Sequence, residues 1–159
     1  MTDCSFEYIT LHTDSISGDS WINGSQSQFT SHLYRPIKDI VEVTLVSCSL
    51  DISNSNVAYI KVDEFESHFN MNTLTPALAS DPPAKSKTSG SLARILCSSS
   101  GRTEFKQYDF DTQVMFNNPI RKLDRITSRI YNEDGDVAAV TSNVFITYKL
   151  KCKRENMCI

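Results

Sequence analysis

The residues able to do chemistry are few and scattered. Catalysis needs a nucleophile with its base, an acid–base pair or a bound metal. The three histidines, His12, His32 and His68, stand far apart, with no H-x-x-x-H or H-E-x-x-H spacing. His32 alternates with Ser31 and Leu33, so it points away from the face that Phe29 shares with them and reads as a surface side chain. The five cysteines, Cys4, Cys48, Cys97, Cys152 and Cys158, are odd in number and form no C-x-x-C pair, which argues against a zinc site and for free thiols in a reducing compartment. Cys48, Cys97 and Cys152 lie inside strand-like runs and read as small core residues. Among the carboxylates, Asp109 and Asp111 flank Phe110, while Glu133, Asp134 and Asp136 surround Gly135. The second group loosely resembles a calcium loop but lacks its ligand spacing and closing glutamate, so it reads as a turn. The five glycines make no phosphate-binding loop. The sequence therefore nominates no catalytic, cofactor-binding or metal-binding residue, and the expectation is a protein that is not an enzyme and carries no cofactor.

With no reaction to position, the elements themselves become the question. A chain of 159 residues suggests one domain, 1–159, long enough to bury a real core. A net charge of -3 provides no basic stripe for nucleic acid. The short run Lys149, Lys151, Lys153, Arg154 reads as a solvated strand edge. The opening residues lack the charged start and apolar stretch of a signal peptide, and no run reaches the length of a membrane span. The expected location is the cytosol, or a particle assembled there.

Period-two alternation dominates the chain. Val144, Ile146, Tyr148, Leu150 and Cys152 share one face of the last strand, and Phe145, Thr147, Lys149, Lys151 and Lys153 share the other. That predicts a half-buried strand. In 39–53 the apolar residues are first odd-numbered (Val41, Val43, Leu45) and then even-numbered (Val46, Cys48, Leu50, Ile52). A strand cannot change face in mid-course, so a β-bulge or bend is predicted at Leu45–Val46, where the strand would turn the corner of a sandwich. Further strands are predicted at 6–11, 28–34, 57–62, 92–97, 103–108, 113–116 and 123–131. Turn chemistry punctuates them at 17–19, 23–24, 54–56, 100–102 and 133–135. Residues 64–70 could form one helical turn. The segment 64–90, with Pro76, Pro82, Pro83 and many serines, reads as a long loop or an arm ordered by a neighbouring subunit. The predicted class is all-β, a sandwich or barrel of two antiparallel sheets with about eight or nine strands and little helix. Jelly-roll and immunoglobulin-like forms both qualify, although the Cys…Trp…Cys pattern of the latter is missing.

Three segments carry a family resemblance. They are Phe29-Thr-Ser-His-Leu-Tyr-Arg-Pro-Ile with Val43-Thr-Leu-Val-Ser-Cys-Ser-Leu, then Ala58-Tyr-Ile-Lys-Val-Asp-Glu-Phe, and then Asn118-Pro-Ile-Arg-Lys-Leu-Asp-Arg-Ile-Thr-Ser-Arg-Ile-Tyr-Asn-Glu-Asp-Gly-Asp-Val. Their order resembles the single jelly-roll capsid proteins of large eukaryotic icosahedral DNA viruses and virophages. The resemblance covers about two-thirds of the chain and leaves 1–27 and 64–90 uninformed. Ser128 departs from the pattern, because a bulky apolar residue is expected there. In phase with Ile126 and Ile130, it should leave room for a large neighbour or face an interface. Pro119 should end one element by removing a ladder donor, and Ile120 and Leu123 should anchor a corner. Arg125 and Arg129 should project from the opposite face, solvated or paired with acids of a neighbour. The resemblance implies a single jelly roll that acts as a capsid penton, a homopentamer at the five-fold vertices of a virion assembled in the host cytoplasm. Its partners would be copies of itself, a double jelly-roll major capsid protein and minor capsid proteins, with no specific nucleic acid and no membrane insertion. The alternatives are a minor capsid or cement protein of the same particle, or a β-sandwich module that recognises a glycan or receptor through a pocket lined by Trp21 and tyrosines.

Overall fold

A computed structural model describes residues 5–65, 90–98, 101–106 and 113–154. Within them eight strands run in chain order: β1 (Phe6–Asp14), β2 (Trp21–Ile22), β3 (Ser25–Leu50), β4 (Val57–Val62), β5 (Ala93–Leu96), β6 (Thr103–Lys106), β7 (Gln113–Tyr131) and β8 (Phe145–Lys153). The only helical pieces described are 3-10 turns at Gly18–Ser20 and Asp63–Phe65. The second is what the structure shows of the helical turn predicted for 64–70. Glu64 and Phe65 open the predicted loop, and 66–89, with His68, lie outside the described residues. So do Cys4, Cys158, Asp109, Phe110 and Asp111.

Two strands are longer than predicted, and they organise the fold. β3 unites the predicted strands 28–34 and 39–53, and β7 unites 113–116 with 123–131. The first part of β3 pairs with the second part of β7 (Gln28 opposite Arg129, His32 opposite Arg125). The second part of β3 pairs with β8 (Val43 opposite Leu150) and with β6 (Cys48 opposite Phe105). β1 extends that layer beyond β8, while β4 and β5 extend the other beyond β7. Leaving aside the two-residue β2, counting β3 and β7 once in each layer, and β6 together with the start of β7, gives eight positions in chain order. One sheet then reads 1-8-3-6 and the other 2-7-4-5. This is a single jelly-roll sandwich of two antiparallel sheets.

The corner where β3 changes sheet is not at Leu45–Val46. It lies upstream, where four residues, Leu33 to Pro36, oppose a single residue of β7 and Asp39 takes a positive φ of 53°. The predicted bulge is nonetheless present. Against β8 the register slips between Leu45 and Ser47, so Val46 is the extra residue, and both Leu45 and Cys48 end up buried. In β7 the ladder is interrupted between Met115 and Ile120 without ending the strand. Pro119, with no N–H to donate, sits in that gap. Leu123 is buried just beyond it, and Ile120 packs against the core from the edge.

The core lies between the sheets. Val144, Ile146, Tyr148, Leu150 and Cys152 are all at most 1 % exposed, as the alternation of β8 requires. Phe65, in the 3-10 turn after β4, meets Tyr148 edge-on at 6.3 Å and Phe116 at 5.8 Å. Ser128 of β7 is fully buried, and its hydroxyl hydrogen-bonds the Tyr148 hydroxyl across the sandwich at 3.0 Å. The serine does leave room for a large neighbour, and that neighbour is a tyrosine whose polar tip it satisfies. Burial, eased slightly by this bond, pushes the Tyr148 phenol far above its ordinary pKa.

At one end of the sandwich four connections fasten to each other. Ser53 N–H donates to the Ala139 carbonyl and Thr141 N–H to that of Asp51, both at 2.9 Å. The Ser15 hydroxyl accepts from Val144 N–H at 2.8 Å. Arg102 reaches Ser49, Ser142 and the Asn143 carbonyl and lies over the Phe145 ring at 5.4 Å. Two of the predicted turns show the expected local geometry. Asn23 and Gly24 both have positive φ, the conformation a tight hairpin needs. The Asn132 side chain accepts N–H bonds from Asp134 and Asp136 at 3.0 Å, which makes 132–136 an Asx-type turn.

Candidate assembly surfaces

The sheet order leaves two different flanks. One carries β1, which among the described residues pairs on one side only, beside β2 and the start of β3. The other carries β5 and β6 with the start of β7. The edges of each pair follow one another in the chain with six residues between them, β1 before β2 and β5 before β6.

On the first flank the outer faces of β1 and β8 form a mixed aromatic and basic ladder. Tyr8 stands opposite Lys151 and Phe6 opposite Lys153, and the lysines lean diagonally. Lys149 Nζ lies 4.7 Å from the Tyr8 ring centre and Lys151 Nζ 4.5 Å from that of Phe6. Both rings are well exposed, Tyr8 at 57 % and Phe6 at 40 %. The basic run is therefore a cover over aromatic surface rather than a bare solvated edge. Cation–π pairs at exposed sites contribute only about 0.5–1 kcal/mol, so a partner could displace the lysines at small cost. Arg154 adds a loose contact to Glu7 at 3.8 Å. His12, on the same face, hydrogen-bonds Thr147 at 3.1 Å.

The second flank exposes Met115 at 63 % and Leu96 at 59 %. A third exposed group sits on the β3 excursion at the corner, where Tyr34 is 98 % exposed between Leu33 and Arg35. None of these three was singled out by periodicity, because each falls at a strand end or irregularity where the alternation carries no information.

Of the two arginines predicted to project from β7, Arg125 is largely solvated, whereas Arg129 pairs with an acid of its own chain. Arg129 Nε donates to both oxygens of Asp63 at 2.9 and 3.0 Å, and Nη1 donates to Gln28 at 2.9 Å. Its guanidinium pKa is raised chiefly by that Asp63 bond. Glu64 accepts from the Thr127 N–H at 2.7 Å and its hydroxyl at 2.8 Å, and lies 3.7 Å from Arg125 Nε. The acids come from this chain's own 3-10 turn. β4 pairs with β7 only over 128–131, and Glu64 serves the next β7 amide in place of a continuing strand. The sequence signal was Asp63-Glu64 directly after a strand, which the reading as the start of a loop passed over.

Trp21 lines an open cleft of about 520 Å³ on the outer face of the second sheet, with Asp19, Thr30, His32 and Arg125 among its walls. Among the described residues no tyrosine lines it. Cys48 and Cys152 are free and buried, while Cys97 is half-buried. Burial raises all three thiols, Cys152 to about 11, which keeps them protonated and unreactive near neutrality. Among the described residues no group of three or more His, Cys, Asp or Glu converges to hold a metal ion, and no helix is long and apolar enough to cross a membrane.

No protein-family model matches this chain, and comparison with curated proteins returns no match.

Proposed function

We propose that this chain is a structural subunit of an icosahedral viral capsid and serves as its penton, five copies closing each five-fold vertex. The observation that carries the proposal is a single jelly roll with two unlike open flanks. A cyclic ring is built from a head-to-tail interface, in which each copy offers one patch to the neighbour before it and another to the neighbour after it. The aromatic and lysine face of β1 and β8 and the apolar edge bearing Met115 and Leu96 form such an unlike pair. The resemblance of 118–137 to single jelly-roll capsid proteins supports the same reading, and the major and minor capsid proteins would be the outer partners.

The test is the mass of the free protein and its place in a particle. Native mass spectrometry of the full chain should show a pentamer of about five times 17.9 kDa. Tyr8→Glu with Met115→Glu should leave a folded monomer. A particle map that sets this chain away from the five-fold axis, or a wild-type chain that stays monomeric at tens of micromolar, removes the penton assignment. A copy number unequal to five per vertex favours the minor capsid or cement role.

A further inference from the structure

We infer that the Trp21 cleft is a binding site for a carboxylated sugar ring. The inference concerns a ligand rather than the shell and does not depend on the pentamer. Its walls come from two sources. The connection after β1 and the short β2 supply Asp19 and Trp21, and the outer face of the second sheet supplies Thr30, His32 and Arg125. The volume of about 520 Å³ falls within the ~300–1,000 Å³ typical of small-ligand sites.

Each wall has a definite part. The Trp21 indole N–H donates to the Ser15 carbonyl at 2.8 Å, so the ring is held in place before any ligand arrives. A fixed indole loses little entropy when a sugar packs its C–H face against it. Asp19 is exposed and can accept from sugar hydroxyls. Arg125 decides the charge of the ligand. Its side chain is 62 % exposed, and its acidic neighbour Glu64 contacts it loosely, at 3.7 Å from Nε. Both Glu64 oxygens are already committed to Thr127, at 2.7 and 2.8 Å. The exposed guanidinium keeps a planar fork suited to a carboxylate. Exposed His32, which stands opposite Arg125 in the β3–β7 ladder, adds a second donor beside it. A neutral sugar would leave this fork unused. A bare carboxylate would leave the indole and Asp19 unused.

The chain contains one tryptophan, so its fluorescence reports on this cleft alone. The full chain is titrated with the methyl α-glycoside of N-acetylneuraminic acid, with methyl α-glucoside, and with sodium acetate. Saturation-transfer NMR of each ligand provides a second readout that does not depend on Trp21 emission. The sialoside should saturate in the low millimolar range and show transfer to its ring protons, whereas the other two should show neither at equal concentration. Arg125→Gln, with its folding checked by circular dichroism, should weaken the sialoside at least about tenfold. Absence of saturable sialoside binding in both readouts overturns the site. An equal response to glucoside or acetate, or unchanged affinity in Arg125→Gln, overturns the ligand class.

Discussion

The hydroxyl pair between the sheets offers the sharpest test of the sandwich. Ser128 and Tyr148 are both fully buried and meet at 3.0 Å, one from each sheet. Tyr148→Phe removes one hydroxyl and strands the other, and a stranded buried polar group costs about 1–3 kcal/mol. Ser128→Ala strands the tyrosine hydroxyl at a similar cost. The double variant has no orphaned group, so it should be less destabilised than the sum of the singles by about 1 kcal/mol or more. Urea denaturation at one fixed protein concentration is the assay, because association would otherwise shift the midpoint. With m near 1–3 kcal/mol/M, each single variant moves the midpoint by about 1 M. Ser128→Leu, the bulkier residue expected from the resemblance, should be worse than Ser128→Ala, because extra volume in a filled core costs about 1–3 kcal/mol. Additive singles, or a Ser128→Leu variant as stable as wild type, would mean that the two strands do not face one another as described.

The other predictions concern caps, charge and pH. Glu64→Ala should speed hydrogen exchange at the Thr127 amide and lower stability by about 1–2 kcal/mol, and an unchanged Thr127 exchange rate would contradict the cap. Arg129→Lys should lower the thermal midpoint by several degrees, since a lysine cannot reproduce the paired contacts to Asp63 together with the Gln28 bond. Stability should fall as pH rises above about 9. The Cys48, Cys152 and Tyr148 groups are raised in the fold, so the unfolded chain loses its protons first. Each such group adds a slope of about 1.4 kcal/mol per pH unit between its unfolded and folded values. For Cys152 that window closes near pH 11, and Cys152→Ala should flatten the urea midpoint profile between pH 9 and 11.

The assembly surfaces and the cleft share the first flank, and the two proposals can be separated. Substitutions at Tyr8 act on β1, whereas Arg125 and Trp21 sit on the outer face of the other sheet and beside it. A monomeric Tyr8 and Met115 double variant that still binds the sialoside would show that the cleft belongs to one subunit.

What the sequence determined by itself was local. Alternation in β8 named the five buried residues, because a strand's side chains must point to opposite faces. The phase change at Leu45–Val46 demanded an extra residue, and the register slip against β8 is there. The all-β class and the turns at Asn23-Gly24 and Asp134-Gly135 followed in the same way, from positions where backbone geometry depends only on near neighbours. The tertiary structure decided everything that needed a partner far along the chain. Period-two patterning has no term for which sheet a strand joins. The merging of 28–34 with 39–53 into one strand serving both layers, and its corner at 33–39, therefore could not be read off. Nor could the pairing of Asp63 and Glu64 with β7, the lysines laid over Phe6 and Tyr8, or the placing of Trp21 and Arg125 on one cleft. Those contacts join residues roughly 60 to 145 positions apart. They exist because the sheet order brings those edges together, and only the folded chain sets that order.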